Sequence, residues 1–392
     1  MNDLKNHAPV QSRILIIDII RGFALFGILL VNTPSLNTPA FMDTNDFGFK
    51  TTALDHSISS FIFTFAMESF YPIFALLFGV GAAIFLSKQA PQISKLFWRR
   101  MAFLLFVGVL DAIFIWWGDI LIVYALLGSL LVFFADLKTR TLGLIALAIM
   151  CIVLLLGFYE NFGGNAAIER FWPETASIYA QGNFFEISVQ RFRDYIQVYF
   201  LNASPIAGLA YYLDIFGIML LGMWVHKKGI LTRVHENKLL IAKIGVLSLG
   251  VAILYVILAD VVGLNLEVLA PLKGLSTGIF YSAVIALFSC IRIGHKLLSP
   301  LAQNGRMSLS CYLFFNLSLS LIFYGYGLGF YGSLGPAGQM PIVAALYLSS
   351  LLFSTIWLKY FPYGPFEWLW RLVTYGGISN TKKRAVMPLA KL

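Results

Sequence analysis

Charge is scarce in this 392-residue sequence. Asp, Glu, Lys and Arg make up 12% of it, against roughly 25% in an ordinary soluble domain. A soluble fold of this length could bury a core but could not cover its outside with so few charges. Cysteine is scarce too. Cys151, Cys290 and Cys311 fall in apolar segments and read as small core residues rather than disulfides or metal ligands. Histidine occurs five times with no metal-ligand spacing, and no Walker loop or nucleophile elbow is present. Short alternating segments are missing, which excludes a β-barrel. So are internal repeats, low-complexity runs and a second soluble domain.

What fills the space is apolar. Hydrophobic residues are 59% of the chain and the mean hydropathy is +0.80. They come in blocks long enough to cross about 30 Å of hydrocarbon, and helices are the form that satisfies its own backbone there. The sequence therefore predicts an all-α, polytopic membrane bundle with about ten spans. They lie at 14–33, 58–87, 101–117, 119–136, 141–158, 197–225, 239–261, 270–293, 307–326 and 341–360. The chain reads as one membrane domain: five spans in 14–158, an outward loop at 159–196, and five more spans in 197–360. An amphipathic helix and basic tail follow in 361–392. Asp18 and Arg21 interrupt what would be a signal peptide's apolar core, which favours an uncleaved first span.

The net charge of +9 raises the question of nucleic acid, but the charges sit in short loops between spans. Placing alternate loops inside gathers the Lys and Arg there. Only Lys50, Arg170, Arg191, Arg193 and Lys273 fall outside, and Arg21 lies within the bilayer. That segregation puts both termini in the cytoplasm and removes nucleic acid from the partners.

Inside lipid the ionisable residues carry the information, each costing roughly 2.5–3.5 kcal/mol at a helix centre. Asp18, Arg21, Gly22, Leu25 and Asn32 share one face of the first span. Asp18 and Arg21 can neutralise each other at i,i+3, or Arg21 can face a cavity and bind an anion from the cytoplasm. Glu68 precedes Pro72 by four residues. That proline lacks the N–H that would bond the Glu68 carbonyl, so the second span should be kinked or opened there. Asp111 and Asp214 fall near mid-membrane and should face a polar interior. Trp116 and Trp117 read as an interface anchor, with Asp119 beyond them as a helix cap. Ser308, Tyr312, Asn316 and Ser320 form a polar stripe suited to interhelical hydrogen bonds. The glycine-rich run from Tyr324 to Gly329 reads as either a lid or a turn. Glu367 and Arg371 are spaced to pair at i,i+4. His56, in the outward loop with Asp43, Asp46 and Asp55, is a solvated residue or a general base near Asn32.

Several motifs resemble a known family. Asp18-Ile-Ile-Arg21-Gly22 with Val31-Asn32, the run Phe74 to Gly79, and Trp117-Gly118-Asp119 with Tyr124 look like those of the YeiB family of bacterial membrane proteins. So do Asn304 to Ser308, Tyr324 to Gly327, and Gly364 to Arg371 in the C-terminal half, which resembles that family's domain of unknown function. The family is grouped with transmembrane acyltransferases such as heparan-α-glucosaminide N-acetyltransferase, which has a similar Asp-x-x-Arg-Gly and Val-Asn arrangement. That enzyme's catalytic histidine closely follows the asparagine. Here no histidine stands in that place, and His56 lies farther along. YeiB relatives commonly carry a histidine where this chain has Asp111.

The resemblance implies a multi-pass protein of the bacterial inner membrane that moves an acyl group from cytoplasmic acyl-CoA to a sugar or lipid acceptor. No cofactor would be tightly bound, acyl-CoA acting as co-substrate, and the partners implied are the bilayer, the acceptor and a second copy of the chain. Asn32, His56 and Asp18 would form the transfer site. Arg21, Glu68, Asp111, Asp119, Asp214, Arg306 and Asn316 would bind substrate. Arg21 lies about 12 Å inside the boundary at Arg13 and Asn32 about 16 Å higher at 1.5 Å per residue, a gap that a pantetheine arm can bridge. The competing reading is a transporter or lipid-handling protein with a buried carboxylate pathway through Asp18, Glu68, Asp111 and Asp214.

Overall fold

The computed structural model describes residues 14–39, 52–88, 92–163, 172–201, 205–264 and 266–376. Asp43, Asp46, Lys50, Arg170 and the basic tail with Lys382, Lys383 and Arg384 lie outside the described residues. Among those described there is helix and no strand.

Each expected span holds a helix. They are α1 (Leu15–Asn37), α2 (Ala53–Phe61) continued by α3 (Phe70–Leu86), α4 (Ile93–Phe114), α5 (Leu121–Leu130) and α6 (Thr139–Gly163). In the second half come α9 (Pro205–Lys227), α10 (Lys238–Val256), α11 (Ala270–Ser289), α13 (Ser308–Phe323) and α14 (Pro336–Tyr360). Between the halves α7 (Trp172–Gln181) and α8 (Phe184–Ile196) fill the segment expected to face outward, where a short helix was expected. Among the described residues seven helices are long and apolar enough to cross a membrane, and a bent pair makes an eighth. α4 falls outside that count because Arg99, Arg100 and Asp111 interrupt it, and α5 because it is short.

The bent pair changes the expected topology locally. Residues 292–306, expected as part of an inner loop, form α12 (Arg292–Arg306), which meets α13 at 77° beside Met307. α12 lies against α1, and two glycines permit the approach. A side chain at Gly22 would run into the Leu301 carbonyl, and one at Gly305 into the Asp18 carbonyl. Gly22 thus admits a helix.

Side-chain bonds define two ends. At one, Lys227 Nζ donates to the carbonyls of Ala135 and Leu137, both at 2.6 Å. Trp98 packs on Phe133 there, and Trp370 Nε1 of α15 (Pro365–Tyr375) bonds the Arg100 carbonyl at 2.8 Å. This end carries the basic loops. At the other, Asn37 bonds the Leu334 carbonyl and Asp55 takes the Ala337 N–H, each at 2.8 Å. The Tyr324-to-Gly329 run sits here as a packed turn. Tyr324 is buried and stacks on Tyr179, whose carbonyl takes the Gly325 N–H.

The second span is broken as expected. A π-turn over Ile62–Ala66 gives way at Met67-Glu68-Ser69, and Glu68 adopts φ 62°. Pro72 sits in the first turn of α3, where its missing N–H is harmless. The freed carbonyls find donors elsewhere: Lys273 Nζ reaches Phe63 and Met67 at 3.3 and 3.4 Å, and the Tyr281 hydroxyl reaches Phe65 at 2.8 Å. Lys273 is therefore buried rather than a loop charge. Trp116 and Trp117 are also buried instead of anchoring an interface, and Cys151 faces outward rather than into the core.

Candidate functional site

A cavity of about 300 Å³ opens among α1, α3, α4, α5, α13 and α15 near the basic end. Its walls are apolar and aromatic, with Ile28, Phe74, Phe78 and Leu104 among them, but four arginines line it as well. Arg21 comes from α1, Arg100 from α4, Arg306 from the end of α12 and Arg371 from α15. Glu367 is the one carboxylate among the lining residues.

Each guanidinium is held by its surroundings. Arg21 Nη1 lies 3.7 Å from Asp18 Oδ1, and Nη2 donates to the Leu77 carbonyl at 3.3 Å. The expected pairing is therefore present, while Arg21 also lines the cavity with 26% of its side chain exposed. Arg100 lies 4.2 Å over the Trp370 ring and 4.9 Å over Phe85, and Arg371 lies 4.3 Å over Tyr363. Arg306 Nη2 donates to the Pro362 carbonyl at 3.3 Å.

Glu367 does not join Arg371 as the i,i+4 spacing suggested. Its carboxylate takes the Leu309 and Ser310 N–H groups at 2.8 and 3.1 Å and the Ser310 hydroxyl at 2.6 Å. The first turn of α13 has no side-chain cap of its own, so its free N–H groups and dipole draw the carboxylate. The cavity wall keeps an excess of positive charge.

At the inner end of the cavity stands Tyr312, on the polar stripe of α13. Its hydroxyl donates to Asp119 Oδ1 at 3.3 Å, and one turn on Asn316 Nδ2 donates to Asp111 Oδ2 at 2.8 Å. Asp119 Oδ2 takes the Ile122 N–H at 3.0 Å, the cap the sequence suggested. Asp111 and Asp119 interact directly, and Asp111 Oδ1 is buried without a hydrogen-bond donor. Beyond the pair, the fully buried Arg191 donates to the Phe114 carbonyl at 2.7 Å and to the Tyr326 hydroxyl.

The other expected residues lie elsewhere. Asp214 is buried and takes the Tyr71 hydroxyl at 2.8 Å, near the broken helix where Glu68 is exposed. Asn32 is half-buried on α1, one turn beyond Ile28 on the same face, and does not line the cavity. His56 is exposed on α2 and also lines no part of it. Of the expected residues Arg21 and Arg306 line the cavity, Asp18 meets it only as the partner of Arg21, and Asp119, Asp111 and Asn316 lie behind Tyr312, whereas Asn32, His56, Glu68 and Asp214 have no part in it. Sequence reasoning did not single out Arg100 or Arg371 for this site. A basic residue at a span's cytoplasmic edge looks like any topology signal, and only the docking of α15 beside α4 turns these two inward.

Residues 225–377 match a family described as a protein of unknown function, DUF418. The chain is 29% identical over 385 residues to the uncharacterized protein YxaH of Bacillus subtilis (strain 168), covering 93% of this chain and 95% of that one. It is 28% identical over 378 residues to an uncharacterized 39.9 kDa protein encoded in an amylase 3′ region of Bacillus acidopullulyticus, with coverage of 93% and 95%. To the uncharacterized protein YeiB of Escherichia coli (strain K12) it is 26% identical over 387 residues, covering 93% and 97%.

Proposed function

The chain belongs to the family of YeiB-like multi-pass membrane proteins with a DUF418 region, and from that premise we propose that it is a transmembrane acyltransferase using acyl-CoA as donor. The observation that carries this reading is the cavity with four arginines on its wall. Guanidinium forks match phosphate oxygens in pairs, and stacking on Trp370, Phe85 and Tyr363 orders them in advance. The apolar wall deeper in suits a pantetheine arm and a short acyl chain. A volume of about 300 Å³ suits such an arm, with the nucleotide remaining at the mouth in this reading. The basic excess at this end favours a mouth on the cytoplasmic side of a bacterial inner membrane, where acyl-CoA is available. Asn32, one turn past Ile28, then stands toward the acceptor's side, while His56 has no place at the cavity.

The test is equilibrium binding of radiolabelled acetyl-CoA to the purified protein in detergent, with Arg100→Ala and Arg306→Ala beside it. The wild type should bind and each variant should bind about tenfold more weakly or worse, the equivalent of roughly 1.4 kcal/mol. Membranes containing the protein should transfer labelled acetyl to an acceptor. A wild type that binds no acetyl-CoA defeats the proposal.

A transporter remains the second reading, on one observation. The second span breaks at Glu68, beside the Asp214–Tyr71 bond, the kind of interrupted helix that transporters use at substrate sites. Proton-coupled solute uptake without acetyl-CoA binding would favour it.

A further inference from the structure

The inner end of the cavity carries more than a wall. Tyr312 lines it, with its hydroxyl directed to Asp119 Oδ1 at 3.3 Å. Asp119 is fully buried and lies against Asp111, whose Oδ1 has no donor although Asn316 holds its Oδ2. A buried acceptor left open beside a second carboxyl group gives a proton somewhere to go.

We infer that Tyr312, Asp119 and Asp111 form a proton relay for acyl transfer, with Tyr312 as the group that touches the reacting atoms and the two aspartates acting through it. The inference rests on the acyltransferase reading. It moves the proton-handling role from His56 to residues that the structure joins to the cavity.

The chemistry balances. An acceptor hydroxyl attacks the thioester carbonyl, a C–O bond forms and the C–S bond breaks. The acceptor proton passes to the Tyr312 oxygen as the Tyr312 proton moves to the carboxyl pair. The pair then returns its proton through Tyr312 to the leaving CoA sulfur, which departs as a thiol. No oxidant, reductant or net proton is required.

The charged and titratable groups facing the pair come from three segments. α8 supplies Arg191 and Tyr195, its π-helical continuation over Gln197–Leu201 supplies Tyr199, and α13 supplies Tyr312. Asp111 itself sits in the last turn of α4. A purely structural role predicts that these residues glue α4, α5 and α13 together and nothing more. Tyr312→Phe separates the two accounts, since it keeps the ring and deletes one hydroxyl.

The experiment follows two readouts in wild type, Tyr312→Phe and Asp119→Asn. Acetyl-CoA binding is measured on purified protein. CoA thiol release from acetyl-CoA is followed from pH 5 to 9 in membranes whose own lipids and sugars supply the acceptor, against membranes lacking the protein. Tyr312→Phe should bind acetyl-CoA like wild type and lose about 100-fold or more in release rate. Asp119→Asn should bind and show a flattened pH profile; should it fail to fold, Tyr312→Phe still decides. Wild-type release and an unchanged pH profile in a folded Tyr312→Phe overturn the relay and leave the acyltransferase standing. A wild type with neither binding nor release overturns the acyltransferase reading and the relay with it.

Discussion

Glu367 grips Ser310 twice, taking its backbone N–H at 3.1 Å and its hydroxyl at 2.6 Å. The bond joins the C-terminal amphipathic helix to the first turn of α13, whose next polar residue inward is Tyr312. The Ser310 hydroxyl in turn takes the Phe366 N–H at 3.0 Å, so the contact is reciprocal. Docking of α15 is therefore specific, and it delivers Arg371 and Trp370 to the cavity.

Removing that carboxylate should loosen the docking. Glu367→Ala leaves two N–H groups and a hydroxyl of α13 without their acceptor, a loss of about 1–2 kcal/mol by analogy with helix caps. Glu367→Gln keeps an acceptor oxygen and should sit much closer to wild type. Thermal unfolding in detergent distinguishes them. Equal losses for both would mean that charge matters here, and the hydrogen-bond geometry does not.

The broken second span offers a separate test. Lys273 Nζ supplies donors to the Phe63 and Met67 carbonyls, which lipid cannot replace. Lys273→Met preserves the length of the side chain but not the donors, and should cost about 1–3 kcal/mol. An unchanged unfolding midpoint would show that the carbonyls find other partners.

The fold was legible because apolar blocks separated by basic loops leave a bilayer few alternatives. The polar stripe on α13 was legible for the same reason. A tyrosine and an asparagine four residues apart need partners away from water, and Asp119 and Asp111 provide them. The Asp18–Arg21 pair is local, so helix periodicity alone found it. What was hidden is long-range. α12 reads as a charged loop because its lysine, histidine and arginines outweigh a narrow apolar face, and only the two glycines at its contact with α1 reveal the packing. Glu367 seemed destined for Arg371, since nothing in sequence tells it that an uncapped helix waits nearby. Asn32 and His56 are close in sequence terms, but α2 presents His56 outward.

Orientation can be read directly by labelling. The side chain of Asn183 caps α8 and the Asn237 amide holds the Gly229 carbonyl, so exposed neighbours make better probes. Gln181→Cys should react with a membrane-impermeant maleimide on intact cells, and His235→Cys only after lysis. Both residues are exposed. The outward-facing Cys151 should be replaced first to remove background. The reverse pattern would put the arginine cavity on the wrong side for cytoplasmic acyl-CoA.

The sharpest separation of structure from binding lies at Gly81. A Cβ there would meet Arg21 Nη2 at 3.1 Å and nothing else nearby. Both residues line the cavity. Within α3, alanine is favoured over glycine by roughly 0.5–1 kcal/mol, so Gly81→Ala should not destabilise the fold. It nudges a guanidinium held by a 3.7 Å ion pair and a 3.3 Å hydrogen bond. Gly81→Leu should displace that guanidinium further and occupy part of the cavity. The expected result is a melting temperature that holds or rises while acetyl-CoA affinity falls, a few-fold for alanine and about tenfold or more for leucine, or roughly 1.4 kcal/mol. A simple packing role for Arg21 predicts that stability and binding move together. Affinity unmoved by either substitution would take Arg21 out of the binding site and leave it as the internal partner of Asp18.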